Sequence, residues 1–357
     1  METPEGGPTR LPGRPARLPG RPGRGIQGWV WLLIRLAVVA GILWFVVEKN
    51  GRGRIIETLV SARLSWVLAA AGAFFLSILA GAYQWFLLLR LQGIEYGYAA
   101  SFRTYYSGMF LNNFLPGTVG GDALRIYEVQ KTAEGWAKPV AATFLDRLMG
   151  FFSLSFLSLV AVLVTHWKGN LDQSAFRHLL LAVGLVFACF VLVLVLLLSR
   201  RISSLAHAVI RWTTLKWLDE SYARLQETLM AYQARRRRMG FILLVSCLVQ
   251  VLRINVHWFS ALGLGVDISP VFFYCFIPVI ALAGVIPLSV GGWGLPQSIA
   301  TYLYTLPGVL GPALPAASGD IKVTAAALAF LPSVVGLVVM LGGGFYFVSG
   351  KPGKKRG

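Results

Sequence analysis

Residues 116–124 read PGTVGGDAL, and residues 287–295 read PLSVGGWGL. Both contain P-x-x-V-G-G-x-x-L, and each follows an apolar run, FLNNFL before the first and ALAGVI before the second. Pro removes a backbone N–H and Gly loosens a helix, so each break frees polar backbone groups. Hydrocarbon tolerates such groups only where protein or a water-filled cavity receives them. Pro/Gly interruptions at matching places in two halves of a membrane protein point to a transporter binding site built from broken helices. The competing account is two short loops that look alike by chance in a Gly-rich chain.

The surrounding sequence decides the compartment. Of 357 residues, 56% are hydrophobic and 13% charged, and the mean hydropathy is +0.66. Ordinary soluble domains do not reach these values. Several runs attain the roughly 20 apolar residues needed to cross a bilayer. The expected fold class is therefore an all-α polytopic membrane protein of about six to eight transmembrane helices. Its two Pro/Gly-broken segments are expected to be re-entrant and related as an inverted repeat. The net charge of +18 lies between the hydrophobic runs. That pattern fits cytoplasmic membrane loops facing anionic lipid better than a nucleic-acid surface, and no nucleic-acid partner is expected. Cys189, Cys247 and Cys275 sit inside apolar runs without metal-ligand spacing and read as packed thiols.

Three regions follow. Residues 1–28, with LPGRP at 11–15 and again at 18–22, form a Pro/Gly/Arg-rich tail that can bury almost nothing and is expected to be disordered. Residues 29–348 form the transmembrane domain, and 349–357 a basic tail. The run 29–47 is too long for a signal-peptide core and has no small-residue cleavage site before Glu48, so it is expected to be a retained first helix. Further spans are expected at 65–90, 139–165, 178–199, 240–262 and 322–348. The first broken segment covers 101–115 and stops at Pro116. Beyond it Asp122, Arg125, Glu128 and Lys131 make the chain too polar to return through lipid unshielded. The second covers 270–289, with Pro278 inside and a break at Pro287, and is followed by an apolar stretch at 295–306. It reads either as re-entrant or as a pair of short helices.

The positive-inside rule orients the chain. Residues 200–238 carry nine Lys/Arg, the N-terminal tail five Arg, and the C-terminal tail Lys351, Lys354, Lys355 and Arg356. Even numbers of expected spans separate these regions, so all three are expected in the cytoplasm, with the protein in the cell inner (plasma) membrane. The loop 48–64, with Lys49, Arg52, Arg54 and Arg63, runs against the rule. Three spans separate the two breaks, so the breaks are entered from opposite faces. Within 200–238, Leu205, Val209, Trp212 and Leu215 recur near helical spacing among cations. This reads as an amphipathic helix on the leaflet or as a soluble linker helix.

Charged residues inside spans are costly and are functional candidates by default. Arg253 lies thirteen residues into the 240–262 span, with Gln250 at i−3 and His257 at i+4 on the same face. Arg presents a permanently charged planar fork suited to phosphate. Phosphate contact and a structural ion pair with Asp146 or Asp122 both fit. Asp146 and Arg147 lie one to two turns into the third span, where they serve a site or snorkel to the interface. Asn112 and Asn113 precede Pro116, and their amides suit either the freed backbone or a headgroup. Gly120 and Gly121 open a stretch whose amides suit an anion at a helix N-terminus, and the pair recurs at Gly291 and Gly292. His166, His178, His207 and His257 are scattered, and no phosphate loop or nucleophile elbow is present. No catalytic residue, metal site or cofactor is expected, and ATP hydrolysis by this chain is not.

With NNFLPGTVGGDALRIYEVQK, DRLMGFFSL and IPLSVGGWGLPQS, the chain resembles the lysylphosphatidylglycerol synthase transmembrane region, also described as a flippase-like domain. The resemblance covers about residues 30–348. It implies movement of an aminoacylated phosphatidylglycerol between leaflets, or a stand-alone role in polyprenyl-phosphate or glycolipid pathways. The family pattern falls on Asn112, Asn113, Pro116, Gly120, Gly121, Asp122, Arg125, Asp146 and Arg147, then on Pro287, Gly291, Gly292 and Gly294. Members commonly carry a Glu shortly after the second glycine motif, where this chain has Pro296 and Gln297. The family's soluble synthetase domain has no counterpart, so aminoacyl transfer is not expected.

The leading expectation is a flippase-like transporter of an anionic phospholipid or lipid-linked sugar. The alternative is a membrane-embedded enzyme or accessory subunit in glycolipid synthesis, with Asp122 or Asp146 handling a sugar phosphate. A third is a scaffold for a separately encoded transferase. Nothing in the chain specifies the oligomeric state, the coupling ion or the direction of movement.

Overall fold

The computed structural model describes residues 52–113, 119–133, 135–168, 173–198, 232, 235–285, 294–306, 310 and 321–349. Among them are ten helices and no strand. They are α1 (Arg52–Val60), α2 (Leu64–Leu91), α3 (Tyr98–Asn112), α4 (Val119–Val129), α5 (Ala137–Trp167), α6 (Gln173–Leu198), α7 (Arg236–Gly263), α8 (Pro270–Val285), α9 (Leu295–Tyr304) and α10 (Ile321–Ser349). The spans expected at 65–90, 139–165, 240–262 and 322–348 are α2, α5, α7 and α10, all long and apolar enough to cross a membrane. The run at 178–199 coincides up to Leu198 with α6, a helix of 26 residues. The chain is an all-α polytopic membrane protein. The expected first helix at 29–47, the amphipathic stretch 205–215, the tails 1–28 and 350–357, and Pro116, Pro287, Gly291 and Gly292 lie outside the described residues.

The order of elements repeats. Residues 64–167 run long helix, two short helices, long helix, with lengths of 28, 15, 11 and 31 residues. Residues 236–349 run the same way, with lengths of 28, 16, 10 and 29. The repeat reaches into the turns. After α2, Gly93 at φ 72° closes the helix, with N–H bonds from Gly93 to Arg90 O and from Ile94 to Leu89 O. After α7, Gly265 at φ 74° does the same, with bonds from Gly265 to Leu262 O and from Val266 to Ala261 O. Both are Schellman caps, for which glycine is suited because it adopts positive φ without Cβ strain. The apolar residue after each glycine, Ile94 or Val266, is buried as that motif favours.

The direction of the repeat follows from α2 and α7, which pack along their length. The Arg63 N–H beside the start of α2 donates to Gly263 O at the end of α7, at 2.8 Å. At the other end Arg235 Nη1 donates to Leu91 O at 2.6 Å and Tyr232 Oη to Leu88 O at 3.0 Å. Equivalent helices of the two halves therefore run antiparallel, as an inverted repeat requires and a parallel repeat forbids. The neighbours obey the same two-fold relation: α3 packs on α10, and its equivalent α8 packs on α5.

Each repeated phrase joins two antiparallel short helices. In the first pair Gly108 faces Gly121, and the ring of Tyr105 faces the Arg125 guanidinium. In the second, Gly284 faces Pro296, and the Phe273 ring lies 6.2 Å from that of Tyr304. The open end of the first hairpin lies at the C-terminal end of α2, where Val129 shares a core with Leu88, Leu89, Leu91 and Ile94. The open end of the second lies at the C-terminal end of α7, where Phe273 and Tyr304 share a core with Ala261, Val266 and Ile268. Because α2 and α7 are antiparallel, the hairpins enter the bundle from opposite ends. Helix α10 contacts both hairpins and is the most buried of the four long apolar helices. Its Gly342, Gly343 and Gly344 leave room for Tyr106 and Phe110 of α3.

Of the three cysteines, Cys275 is buried, Cys247 half-buried and Cys189 exposed, so the packed-thiol reading fails for Cys189. The outward face of α6 is apolar around it, with Leu185 and Leu192 exposed as well.

Candidate functional site

Four charges join the first hairpin to α5. Asp122 lies in the first turn of α4, where a carboxylate also opposes the helix dipole favourably. Arg147 grips it side-on, with Nε to Asp122 Oδ2 at 2.9 Å and Nη2 to Asp122 Oδ1 at 3.0 Å. Arg125, one turn after Asp122, donates to Asp146 Oδ2 at 2.8 Å and to Asp122 Oδ1 at 3.2 Å. Gln84 of α2 completes the shell by donating from Nε2 to Asp146 Oδ1 at 3.0 Å. The Arg125 guanidinium lies between the rings of Trp85 and Tyr105, 4.5 Å from each centroid. Trp85 is itself held by its Nε1–H bond to Thr143 Oγ1 at 3.3 Å. Charges this deep are tolerated because two carboxylates and two guanidiniums cancel, although Arg125 Nε is left buried without a partner.

The network explains how the polar stretch after the first break sits against the bundle: α4 packs on α3 and α5 and turns Asp122 and Arg125 toward them. It also removes the snorkelling account of Asp146, which is buried with its carboxylate turned to Arg125. The expected anion-receiving amides are replaced by a different arrangement. The Gly121 N–H donates to Asn112 Oδ1 at 2.7 Å across the break. Gly121 also packs so closely on Gly108 that a Cβ there would overlap the Gly108 carbonyl. Asn112 thus satisfies freed backbone, one of its two expected roles. Asn113 is buried, donates to Met109 O at 3.1 Å, and lines the cavity described next.

A cavity of about 420 Å³ opens where the two halves meet. From the first half it receives Gln84, Tyr105, Asn113, Asp146 and Arg147; from α7, Gln250, Arg253 and His257; and from the second half, Gly284, Gln297 and Ser333. Gln297 accepts from the Gly294 N–H at 2.8 Å and donates to Ser333 Oγ at 2.9 Å. That pair ties the start of α9 to α10. Gly120, Gly121, Asp122 and Arg125 lie behind the wall and hold it rather than line it.

Arg253 is the exception to the charge pairing. Among the described residues no carboxylate lies within ion-pair distance of it. Its one hydrogen bond is a long contact of 3.5 Å from Nη2 to Tyr105 Oη. Its Nε is buried without a partner, as is Nδ1 of His257 one turn on. Of the two sequence accounts of Arg253, the ion pair with Asp146 or Asp122 is ruled out, since Arg125 and Arg147 have taken both carboxylates.

The model of the lysylphosphatidylglycerol synthase transmembrane region matches residues 32–336. The chain belongs to that family. Two of the similar proteins are a UPF0104 membrane protein of Methanothermobacter thermautotrophicus and one of Pyrococcus horikoshii. The first is 24% identical over 296 residues, 79% of this chain and 86% of the relative. The second is 23% identical over 299 residues, 78% of this chain and 87% of the relative. The matched residues cover both hairpins and the wall of the cavity apart from Met340, so almost all of the site lies in the part of the chain that defines the family.

Gln84 and Tyr105 are missing from the sequence-based site. Gln84 had a readable signal, a lone amide in the apolar run FLSILAGAYQWFLLLRL. Tyr105 had none, because an aromatic residue in an apolar helix looks like core.

Proposed function

We propose that the chain moves an anionic phospholipid or lipid-linked sugar between leaflets. The observation that carries this reading is the Arg253 guanidinium, unpaired at a cavity wall between two inverted halves. A cation near the centre of a spanning helix costs about 2.5–3.5 kcal/mol on insertion scales. Among the described residues no carboxylate offsets that cost, whereas a lipid phosphate at the cavity would. The two hairpins enter as re-entrant elements from opposite faces. Rocking one half against the other then opens the cavity to each leaflet in turn. The enzymatic alternative has less support, because every described oxygen of Asp122 and Asp146 already accepts from a guanidinium or an amide.

Arg253→Leu should lower lipid movement in reconstituted vesicles on the order of 10- to 100-fold, the loss of a hydrogen-bonded charge contact. Its melting in detergent should stay close to that of the parent, because no carboxylate is left unpaired. Arg253→Lys should keep part of the movement, since an ammonium supplies charge without the planar fork. Normal movement by a stable Arg253→Leu protein would remove this residue from the site.

Orientation belongs to the same proposal. The end of the bundle with Arg90, Arg103, Lys131, Lys138, Arg235, Arg237 and Arg238 faces the cytoplasm of the cell inner membrane, with both termini on that side. In a variant lacking Cys189, Cys247 and Cys275, Lys168→Cys and Gly265→Cys should react with an impermeant thiol reagent added outside sealed cells. Arg236→Cys should react only after lysis. Labelling of position 236 in sealed cells would reverse the orientation.

A further inference from the structure

We propose that the cavity selects a singly charged phosphodiester bearing an uncharged, hydroxyl-rich headgroup. The inference rests on the transport reading for the ligand being a lipid, and on the cavity wall for its chemistry. Asp122 and Asp146 offset Arg125 and Arg147 within one hydrogen-bonded network. With the His257 imidazole in its ordinary neutral form, Arg253 leaves a single uncompensated positive charge. A phosphodiester carries one negative charge and matches it. A phosphomonoester carries about −1.5 to −2 near neutral pH and needs a second free cation. Arg147 has its charge offset by Asp122 through Nε and Nη2 and can turn only Nη1 toward a ligand, so it is not a second free cation. An ammonium-bearing headgroup needs a free carboxylate, and both carboxylates are taken.

The rest of the wall is neutral and able to form hydrogen bonds. Gln250 is only 7% exposed, lines the cavity, and its amide bonds to no protein group among the described residues. Its amide opens on the cavity, where a ligand can meet it, and on the same face Arg253 Nε and His257 Nδ1 are buried without a partner. Gln250, Arg253 and His257 are spaced i, i+3 and i+7, so they present one face of α7. Across the cavity the Asn113 amide oxygen and the Ser333 hydroxyl proton are left for a ligand, since the Asn113 NH2 donates to Met109 O and the Gln297 amide is held by Gly294 and Ser333. Such a lining suits hydroxyls, which both donate and accept. The volume of about 420 Å³ accommodates a headgroup and leaves the acyl chains in the bilayer.

The test is lipid binding to the purified full chain in neutral detergent, read as intrinsic fluorescence and as thermal shift. The probes are phosphatidylglycerol, phosphatidic acid and phosphatidylethanolamine with the same acyl chains, and water-soluble glycerophosphoglycerol. Phosphatidylglycerol should bind at least about tenfold more tightly than the other two lipids, and Arg253→Leu should weaken it by about 10- to 100-fold. Gln250→Leu should erode the preference over phosphatidic acid without changing melting. Equal or tighter binding of phosphatidic acid or phosphatidylethanolamine overturns the inference, as does a preference that survives in Arg253→Leu. Glycerophosphoglycerol should bind more weakly than the lipid; equal affinity would assign the site to a soluble phosphodiester. Leaflet exchange that ignores the headgroup sinks the selectivity and leaves transport standing. Selective binding without any exchange does the reverse.

Discussion

Gly121→Ala is expected to destabilise the protein severely, with expression and detergent melting falling together. A Cβ at Gly121 would overlap the carbonyl of Gly108 and come within 2.7 Å of Asn112 Oδ1. Two of these three obstacles are backbone atoms, which cannot swing aside as a flexible side chain would. The hairpin must open, and the bond from the Gly121 N–H to Asn112 Oδ1 stretches with it. Overpacking of this kind costs about 1–3 kcal/mol and sometimes more. Gly108→Ala should be milder, because its nearest obstacle is the Gly121 carbonyl at 3.0 Å. Gly72→Ala, with nothing within 4 Å of the added carbon, should be neutral or slightly stabilising through helix propensity. The measurement is the melting midpoint of the three variants beside vesicle transport. A Gly121→Ala protein with native melting and lost transport would return this glycine to the substrate path. The sequence places it there, because the amides at Gly120 and Gly121 suit an anion at a helix N-terminus.

Arg125→Leu should be nearly as damaging. The side chain is 4% exposed and joins Asp146 and Asp122, while its face is stacked between Trp85 and Tyr105. Removing one side of a buried pair leaves a charge without compensation, at about 3–5 kcal/mol. Arg125→Lys should fall between the two, since an ammonium holds the charge but lacks the flat fork that bridges two carboxylates and lies between two rings. The double variant Arg125→Leu with Asp146→Leu should recover part of the loss, because the stranded carboxylate is gone. A thermal double-mutant cycle reads this as a coupling energy. Additive effects of the two single changes would show that the pair contributes nothing beyond its separate parts. The contrast with Arg253→Leu is the sharper result: two arginines in one membrane domain, one needed for folding and one expected to matter only for movement of lipid.

Much of the architecture was legible in the chain. Apolar runs of spanning length marked α2, α5, α7 and α10, because hydrocarbon demands continuous apolar helix surface whatever the tertiary arrangement. The repeated P-x-x-V-G-G-x-x-L, with an odd number of expected spans between its copies, led to the inverted relation that the antiparallel packing of α2 on α7 displays. A second repeat, the glycine and buried apolar residue closing α2 and α7, was equally present in the letters. It passed unread because Gly93-Ile94 and Gly265-Val266 are short and gain meaning only from their positive φ.

The candidate site was legible as a list of polar residues but not as an arrangement. Asp122, Arg125, Asp146, Arg147 and Arg253 stood out because charge in an apolar run is costly. Which carboxylate meets which guanidinium was undetermined, since two acids and three arginines allow several pairings of equal merit on paper. The fold made the choice. Antiparallel packing of α4 on α3 sets Arg125 between Trp85 and Tyr105, and α5 brings Asp146 and Arg147 to the same depth. Arg253, on α7, faces them across a cavity and is left over. The sequence by itself determined the helices, the breaks and the number of charges, which are local properties of the chain. Only the tertiary structure decided that four of those charges cancel and a fifth does not, because Coulomb energy and hydrogen bonding depend on distances of a few ångströms between segments that the chain holds far apart.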